Sequence, residues 1–420
     1  MSKQITTPAA VRANNLSLTL NLIHTRGVVA RTELIEHTNL SGTTISALVN
    51  VLIDSGFVIE SGEGVSSGGR RPMLLEFNYN ARHVIGVDMG ARHITVVLMN
   101  LKDQILASAW QALDVIHQPA LTLDTMREMV SKVITQAGVN QASILGVGLT
   151  LPTPVSADRS GTFMTYYMPA WEGMRPAVEL SRRIHLPVVY ENDANAAALA
   201  EMWWGSGRGC RSLAYIKLGT GVGSGLVING EIYRGSSGSA GEVGHTTIEA
   251  DGRVCRCGNH GCMESYVGVN GFLEDARAGL SSDPAWADRL DELTVDEVIH
   301  AAQAGNPVCQ VVLQNAGRYL GIGVANLFNL FNPELVILGG DLVNAGPLLM
   351  EPVQQSVRQR SIPIVSQSAR IIVGELGANA VAVGGAALVV QHAFDSANLY
   401  QTLHQKGLST SFKEVMHIAR

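Results

Sequence analysis

Charged and aromatic side chains are scarce in this chain: 16% of its 420 residues are Asp, Glu, Lys or Arg and 5% are Phe, Trp or Tyr, against 46% hydrophobic. That balance excludes a disordered protein, which lacks the apolar residues to build a core. The length calls for two or three domains rather than one. Basic residues are in deficit, 30 against 36 acidic for a net charge of −6, so the chain as a whole is no nucleic-acid coat. Any DNA contact must come from a local surface. Long apolar runs are missing too: Leu145 to Leu151 and Leu335 to Leu338 are strand-sized and broken by Gly or Pro, far short of the ~20 residues of a membrane span. Met1 to Pro8 carry no signal-peptide pattern. With five cysteines, three of them clustered, the expected location is the cytoplasm, with no membrane partner. Glycine alone is abundant, 44 residues placed largely in short clusters at the ends of apolar runs, which suits phosphate or sugar loops on an α/β scaffold.

The densest chemistry lies between residues 242 and 264, where Glu-Val-Gly-His is followed by Cys-Arg-Cys-Gly-Asn-His-Gly-Cys-Met-Glu. His245, Cys255, Cys257 and Cys262 supply one imidazole and three thiols, a complete set for a closed, structural tetrahedral Zn2+ site. A disulfide is the alternative, but Cys255 and Cys257 are too close in sequence for an unstrained ring, and either bridge to Cys262 leaves a thiol over. Glu242 and Glu264 flank the cluster. A rigid metal loop could turn them and an imidazole toward one pocket to grip neighbouring sugar hydroxyls; equally, they could be two solvated glutamates beside a zinc clip.

The first 80 residues read as three helices and a β-hairpin. A helix runs from Val11 toward Gly27; a second covers Val28 to Thr38 with Thr32 as N-cap; a third covers Gly42 to Asp54, with Ile45, Leu48, Val49 and Leu52 inward. That third helix turns Thr43, Thr44, Ser46 and Asn50 outward, groups that fit a DNA major groove. Phe57 to Glu60 and Met73 to Phe77 read as the two strands of a wing, whose Arg70 and Arg71 could meet phosphates or a minor groove. This is a winged helix-turn-helix. A three-helix packing module is the alternative, since six Lys and Arg in this region are balanced by six Asp and Glu.

Beyond residue 80, Val84–Met89, Ile94–Met99 and Gln104–Trp110 read as a three-stranded meander, and a second meander begins at Ser212. Asp193 stands in Glu191-Asn192-Asp193-Ala194-Asn195 at a strand-to-helix junction, the place of a general base at a cleft mouth or of an ordinary N-cap. Gly219-Thr220-Gly221-Val222-Gly223 joins two strands in a turn whose N–H groups could cradle a phosphate or merely close a hairpin. Gly339-Gly340 and Gly384-Gly385 could border a ligand or let helices and strands approach closely.

These motifs resemble the ROK family of repressors, open reading frames and kinases, whose Glu-x-Gly-His and Cys-x-Cys-Gly-x-x-Gly-Cys-x-Glu segments match here, as does Glu-Asn-Asp-Ala-Asn. The resemblance implies an α/β chain with an N-terminal winged helix-turn-helix (1–80) followed by a two-lobed actin-like, ribonuclease-H-like ATPase fold. The first lobe would cover 81–195, completed by a helix near 379–393, the second 196–378 with the zinc loop, and 394–420 would be a tail. It implies sugar ligands at Asn192, Asp193, Glu242, His245 and Glu264, and phosphate contacts at Asp88, Gly90, Gly219, Thr220, Gly221 and Gly223. The chain departs from the family hairpin Asp-x-Gly-Gly-Thr-Lys in having Ala91, Arg92 and His93 after Gly90, and has Tyr167 where the family's Asn-x-x-x-Trp segment has Asn. The expected function is a sugar-responsive repressor, a homodimer or dimer of dimers that binds operator DNA and a sugar or sugar phosphate. The alternative is a carbohydrate kinase with Asp193 as base and Mg-ATP as cofactor.

Overall fold

A computed structural model describes residues 7–64, 71–156, 161, 167–368 and 370–395. Thr7 caps the first helix and Pro8 opens it, giving α1 at Pro8–Arg26. Val28–Ala30 is a strand, β1, rather than the start of the second helix, because its backbone pairs with β3 (Met73–Phe77), Val28 facing Glu76. Helix α2 (Arg31–Thr38) therefore has Ala30, not Thr32, at its N-cap. Helix α3 is Gly42–Asp54, with Ser41 Oγ accepting from the Thr44 N–H at 3.2 Å. Ile45, Leu48, Val49 and Leu52 are all buried. Strand β2 (Val58–Glu63) completes a sheet of order β1-β3-β2. The wing tip, Arg70 included, and the tail beyond 395 lie outside the described residues.

Two five-stranded sheets follow, built on one plan. The first joins β4 (His83–Met89), β5 (His93–Asn100), β6 (Ile105–Ala112), β7 (Ile144–Leu151) and β8 (Val188–Asn192) in the order β6-β5-β4-β7-β8. The second joins β9 (Leu213–Leu218), β10 (Val222–Ile228), β11 (Glu231–Ile232), β12 (Leu335–Gly340) and β13 (Ile371–Val373) in the order β11-β10-β9-β12-β13. In each, three strands form an antiparallel meander and two more add in parallel to its first strand. The repeated topology is the duplicated, two-lobed arrangement.

Helices α4 (Pro119–Ala137) and α5 (Pro176–Ile184) pack with the first sheet, and α6 (Asp193–Trp204) leads to the second. The second lobe carries α7 (Glu264–Val267), α8 (Val269–Leu280), α9 (Val295–Gln303), α10 (Pro307–Phe331), α11 (Pro347–Arg360) and α12 (Pro363–Ser366). The last described helix, α13 (Ala380–Phe394), crosses α6 between the sheets. A Cβ on Gly384 would lie 2.2 Å from the Ala196 carbonyl oxygen, and one on Gly385 2.4 Å from that of Gly148. This glycine pair therefore serves close helix packing, one of the two roles its sequence left open. The stretch Gly377–Phe394 is apolar enough to cross a membrane, but 67% of it is buried in the fold, where a helix apolar on every side belongs.

The winged helix shares a continuous core with this body. Leu16, Leu20, Leu52 and Phe57 belong to one buried cluster with Val84, Val97, α6 and α13. At the end of α13, Phe394 meets Phe57 and Phe77 at ring separations of 5.7 and 6.1 Å, and its carbonyl accepts from Ser17 Oγ at 3.2 Å.

Candidate functional site

Between the lobes lies a cleft of about 640 Å³, within the size range of small-molecule sites. Asn192, Asp193, Glu242, His245 and Glu264 all line it, as do Asp88, Gly219, Thr220, Gly221 and Gly223. Tyr167 and the Pro152-Thr153-Pro154 turn contribute as well. The Thr153 hydroxyl is buried with no hydrogen-bond partner among the described residues, an unsatisfied polar group of the kind that calls for an explanation.

At the β8–α6 junction, Asn192 is the N-cap: its Oδ1 accepts from Ala194 and Asn195 N–H at 3.0 and 3.1 Å, and its Nδ2 donates to Thr153 O at 3.3 Å. Asp193 is the first helical residue, with Oδ1 accepting from the Ala194 N–H at 2.7 Å. Its other oxygen accepts from Lys217 Nζ at 2.5 Å. Lys217 projects from β9, between buried Ile216 and Leu218. Burial alone would pull its pKa down, but the Asp193 and Asp88 carboxylates more than reverse this and hold the ammonium charged. Sequence reasoning missed Lys217; the available signal was a lone charge inside an otherwise apolar strand. One residue before Asn192, buried Glu191 accepts from Arg234 Nε and Nη2 at 2.9 and 2.6 Å, tying the first lobe's β8 to the loop after β11. Arg234 was also missed.

The four metal-type donors lie within 4.8 Å of one another. Cys255 Sγ is 3.6 Å from His245 Nδ1 and Cys257 Sγ is 3.7 Å from Cys262 Sγ. Ligand atoms ~2.0–2.3 Å from a tetrahedral zinc ion are separated by roughly 3.5–3.8 Å, so the residues fit the metal. His245 Nδ1 faces the thiols while Nε2 faces Glu242 Oε2 at 3.9 Å. A metal-held Nδ1 leaves Nε2 as the protonated atom on the cleft side.

Around this loop the two glutamates differ. Glu242 is raised to about 7, by burial first and then by the Asp193 and Glu264 charges, with Arg256 opposing. Glu264 is buried and firmly held: Arg256 Nε donates to Oε1 at 2.7 Å and the Val222 N–H to Oε2 at 2.9 Å. Residue 221 being glycine lets the hairpin lie close over this pair: a Cβ there would come within 2.6 Å of both Glu264 Oε2 and Arg256 Nη2 and push those side-chain ends aside. Within that hairpin the Gly219 N–H is turned onto Gly221 O at 3.0 Å.

On the opposite lobe, Asp88 is buried at 2% exposure. Its Oδ1 accepts from Thr150 Oγ1 at 3.2 Å and its Oδ2 lies 3.0 Å from His93 Nε2. Burial pushes this carboxyl up, but the His93 hydrogen bond and the Lys217 charge together leave it below the ordinary range. The His93 ring also covers Gly90, where an added Cβ would lie 2.5 Å from His93 Cε1. The space beside Gly90 is thus taken by the His93 imidazole.

The candidate DNA surface is a separate feature. Thr43 and Asn50 are exposed on α3, while Thr44 and Ser46 are partly exposed. Ser41 Oγ lies 2.9 and 2.8 Å from the Thr43 and Thr44 hydroxyls. Arg31, at the start of α2, donates to Asn50 Oδ1 at 3.3 Å and pairs with Glu60 at 3.6 Å, adding a guanidinium that sequence reasoning overlooked. Arg71 pairs with Glu63 at 3.8 Å, both side chains well exposed.

The ROK family model matches residues 84–392, starting just past the winged helix. Over 380 residues the chain is 33% identical to the xylose repressor of Caldicellulosiruptor bescii, covering 90% of this chain and 95% of that relative. A solved ROK family transcriptional regulator, a homologue of E. coli Mlc, superposes with a TM-score of 0.79 at 26% identity, covering 94% of this chain and 99% of its own. A ROK family glucokinase from Streptomyces griseus, in complex with glucose and AMPPNP, gives a TM-score of 0.67 at 29% identity and covers 74% of this chain and 99% of its own. The chain belongs to the ROK family. Within it the chain falls in the repressor branch, whose members match it through the N-terminal winged region as well as the two lobes.

Proposed function

We propose that this chain is a cytoplasmic, sugar-responsive transcriptional repressor whose winged helix binds operator DNA and whose cleft binds a monosaccharide. The observation that carries the reading is the path of α13. Val381 near its start lines the cleft, and Phe394 at its end packs into the winged-helix aromatic cluster. A ligand that changes how the lobes meet along α6 and α13 would change how the winged helix is held. In a homodimer or dimer of dimers, that alters the spacing of two recognition helices and their fit to a two-fold operator.

In this reading Asn192, Asp193, Glu242, His245 and Glu264 face the sugar hydroxyls. His245, Cys255, Cys257 and Cys262 hold a structural zinc, which closes the loop and turns His245 Nε2 toward the cleft. Thr43, Thr44, Ser46 and Asn50 face base edges, while Arg70 and Arg71 face the backbone or minor groove. The likeness to the xylose repressor puts D-xylose first among candidate ligands. The test is a titration of the full-length protein, followed by intrinsic fluorescence, with neutral pentoses, hexoses and N-acetylhexosamines; Trp110 at the cleft edge is 66% exposed. Saturable binding of a neutral sugar supports the reading, and no response to any member of the panel opposes it.

The kinase alternative, with Asp193 as base and Mg-ATP on the Gly219–Gly223 hairpin, is weakened by the Lys217–Asp193 ion pair. A base must accept a proton from a hydroxyl, and a carboxylate bound to an ammonium is a poor acceptor. ADP release from Mg-ATP in the presence of the bound sugar, abolished by D193N, would restore that alternative.

A further inference from the structure

We propose that the Lys217 ammonium, bonded to Asp193 in the cleft that Asp88 also lines, is a fixed counter-cation that takes the place a divalent metal would need and restricts the cleft to metal-free ligands. The inference rests on reading the cleft as a sugar sensor and goes on to say which ligands it refuses.

Three observations converge. Lys217 comes from the second lobe's β9, Asp88 from the first lobe's β4, and Asp193 from the junction that opens α6. The ammonium is bonded to Asp193 at 2.5 Å, and Asp88 lines the same cleft, where the Lys217 charge helps to hold its carboxyl down. Both carboxylates are also engaged elsewhere. Asp88 meets Thr150 at 3.2 Å and His93 at 3.0 Å, and Asp193 accepts from the Ala194 N–H at 2.7 Å and from Asn192 Nδ2 at 3.1 Å.

A nucleoside triphosphate enters a phosphoryl-transfer site as its magnesium complex, and the protein anchors that metal through one or two carboxylates. Here a tethered cation is already paired with Asp193, in the cleft that Asp88 also lines. A metal ion arriving there would meet Lys217 as a like charge in a poorly solvated site. The hairpin that would otherwise hold phosphates has its Gly219 and Val222 N–H groups turned onto Gly221 O and Glu264. Arg92 and Arg256 line the same cleft as Glu242 and Asp341, with Arg256 bonded to Glu264, so the exclusion concerns ligands that bring a metal rather than anions as such. A polyol, which exchanges hydrogen bonds and needs no metal, is a ligand class that fits.

The test uses Mn2+ alone, titrated into full-length zinc-loaded protein without sugar or DNA and followed by the electron paramagnetic resonance signal of the free ion. The wild type is expected to bind no Mn2+ in the cleft. K217M, or K217Q if K217M does not fold, is expected to gain one bound Mn2+ per chain, lost again when D88N is added. K217R, which restores the charge, is expected to behave as the wild type. Retained zinc and an unchanged circular dichroism spectrum report the fold of each variant. A stoichiometric Mn2+ site in the wild type that D88N or D193N removes would overturn the proposal. So would a folded Lys217 variant that gains no Mn2+. Because neither sugar nor DNA enters the titration, its failure leaves the sensor reading standing, and a protein that never responds to sugar leaves the metal result standing.

Discussion

Phe394, the last residue of α13, meets Phe57 of the winged helix nearly edge to face, with ring centroids 5.7 Å apart and planes at 78°. The same helix lines the cleft near its start and packs through Gly384 on the Ala196 carbonyl of α6. One element therefore touches the cleft, the junction between the lobes and the core of the winged helix. A helix buried in this way transmits displacement rather than absorbing it, because packed cores have little free volume.

Replacing Phe394 with Ala should loosen this link. Truncating a half-buried aromatic is expected to cost about 1–3 kcal/mol, below the full-core value, and to reduce the effect of sugar on operator affinity while leaving sugar affinity near that of the wild type. Parallel titrations of F394A with sugar alone and with operator in the presence and absence of sugar measure both. An undiminished sugar effect on DNA binding would remove α13 from the route.

The Lys217–Asp193 pair, with side chains 19% and 11% exposed, makes a second prediction. D193N leaves a largely buried ammonium with a weaker partner and should destabilise the protein by roughly 2–4 kcal/mol, whereas D193N/K217M, lacking both charges, should recover part of that loss. Denaturant unfolding of the two single variants and the double variant closes the cycle. Strictly additive losses would mean the pair has no coupling.

Zinc should be present at one ion per chain, measurable by atomic absorption. Replacing Cys257 with Ser, or chelating the metal, is expected to release it and to weaken sugar binding before operator binding measured without sugar, because His245, Glu242 and Glu264 lose their common support. Structural zinc contributes on the order of 10 kcal/mol in small metal-dependent domains, so a parallel loss of sugar and DNA binding would assign the loop to the stability of the whole body instead.

On the winged helix, Asn50→Ala should change base preference at one operator position, with a loss of about 1–3 kcal/mol for a good base contact. It also removes the acceptor for Arg31. Arg71→Ala should instead weaken all sequences alike and lower the salt slope by about one. Competition binding across operator variants at several salt concentrations distinguishes them; identical profiles would place both residues outside the interface.

Where local rules decide the outcome, the sequence was legible. The bounds of α3 follow the spacing of Ile45, Leu48, Val49 and Leu52, with Ser41 found as its cap in the structure, and β7 is bounded as its apolar run suggests. The four metal-type donors were visible because one His and three Cys fall within eighteen residues, and the fold brings them within 4.8 Å of one another. What escaped depends on distant partners. Strand β1 exists because β3 pairs with it, and Thr32 lost the cap position when Val28–Ala30 became extended. Lys217, Arg234 and Arg31 act through residues far along the chain; the lone charge in an apolar strand marks Lys217 as unusual but does not name its partner. Asp193 illustrates the limit at the site: its place at the junction was legible, but the ammonium that engages it comes from the next strand.

The central claim is that sugar in the cleft controls DNA binding through this one body. It is tested most directly by fluorescence anisotropy of labelled operator DNA with the full-length protein, measured with and without the neutral sugar that saturates the cleft. The account predicts a shift in operator affinity of at least about fivefold, the lower end of ordinary allosteric coupling. Equal operator affinity with the cleft empty and filled would contradict it.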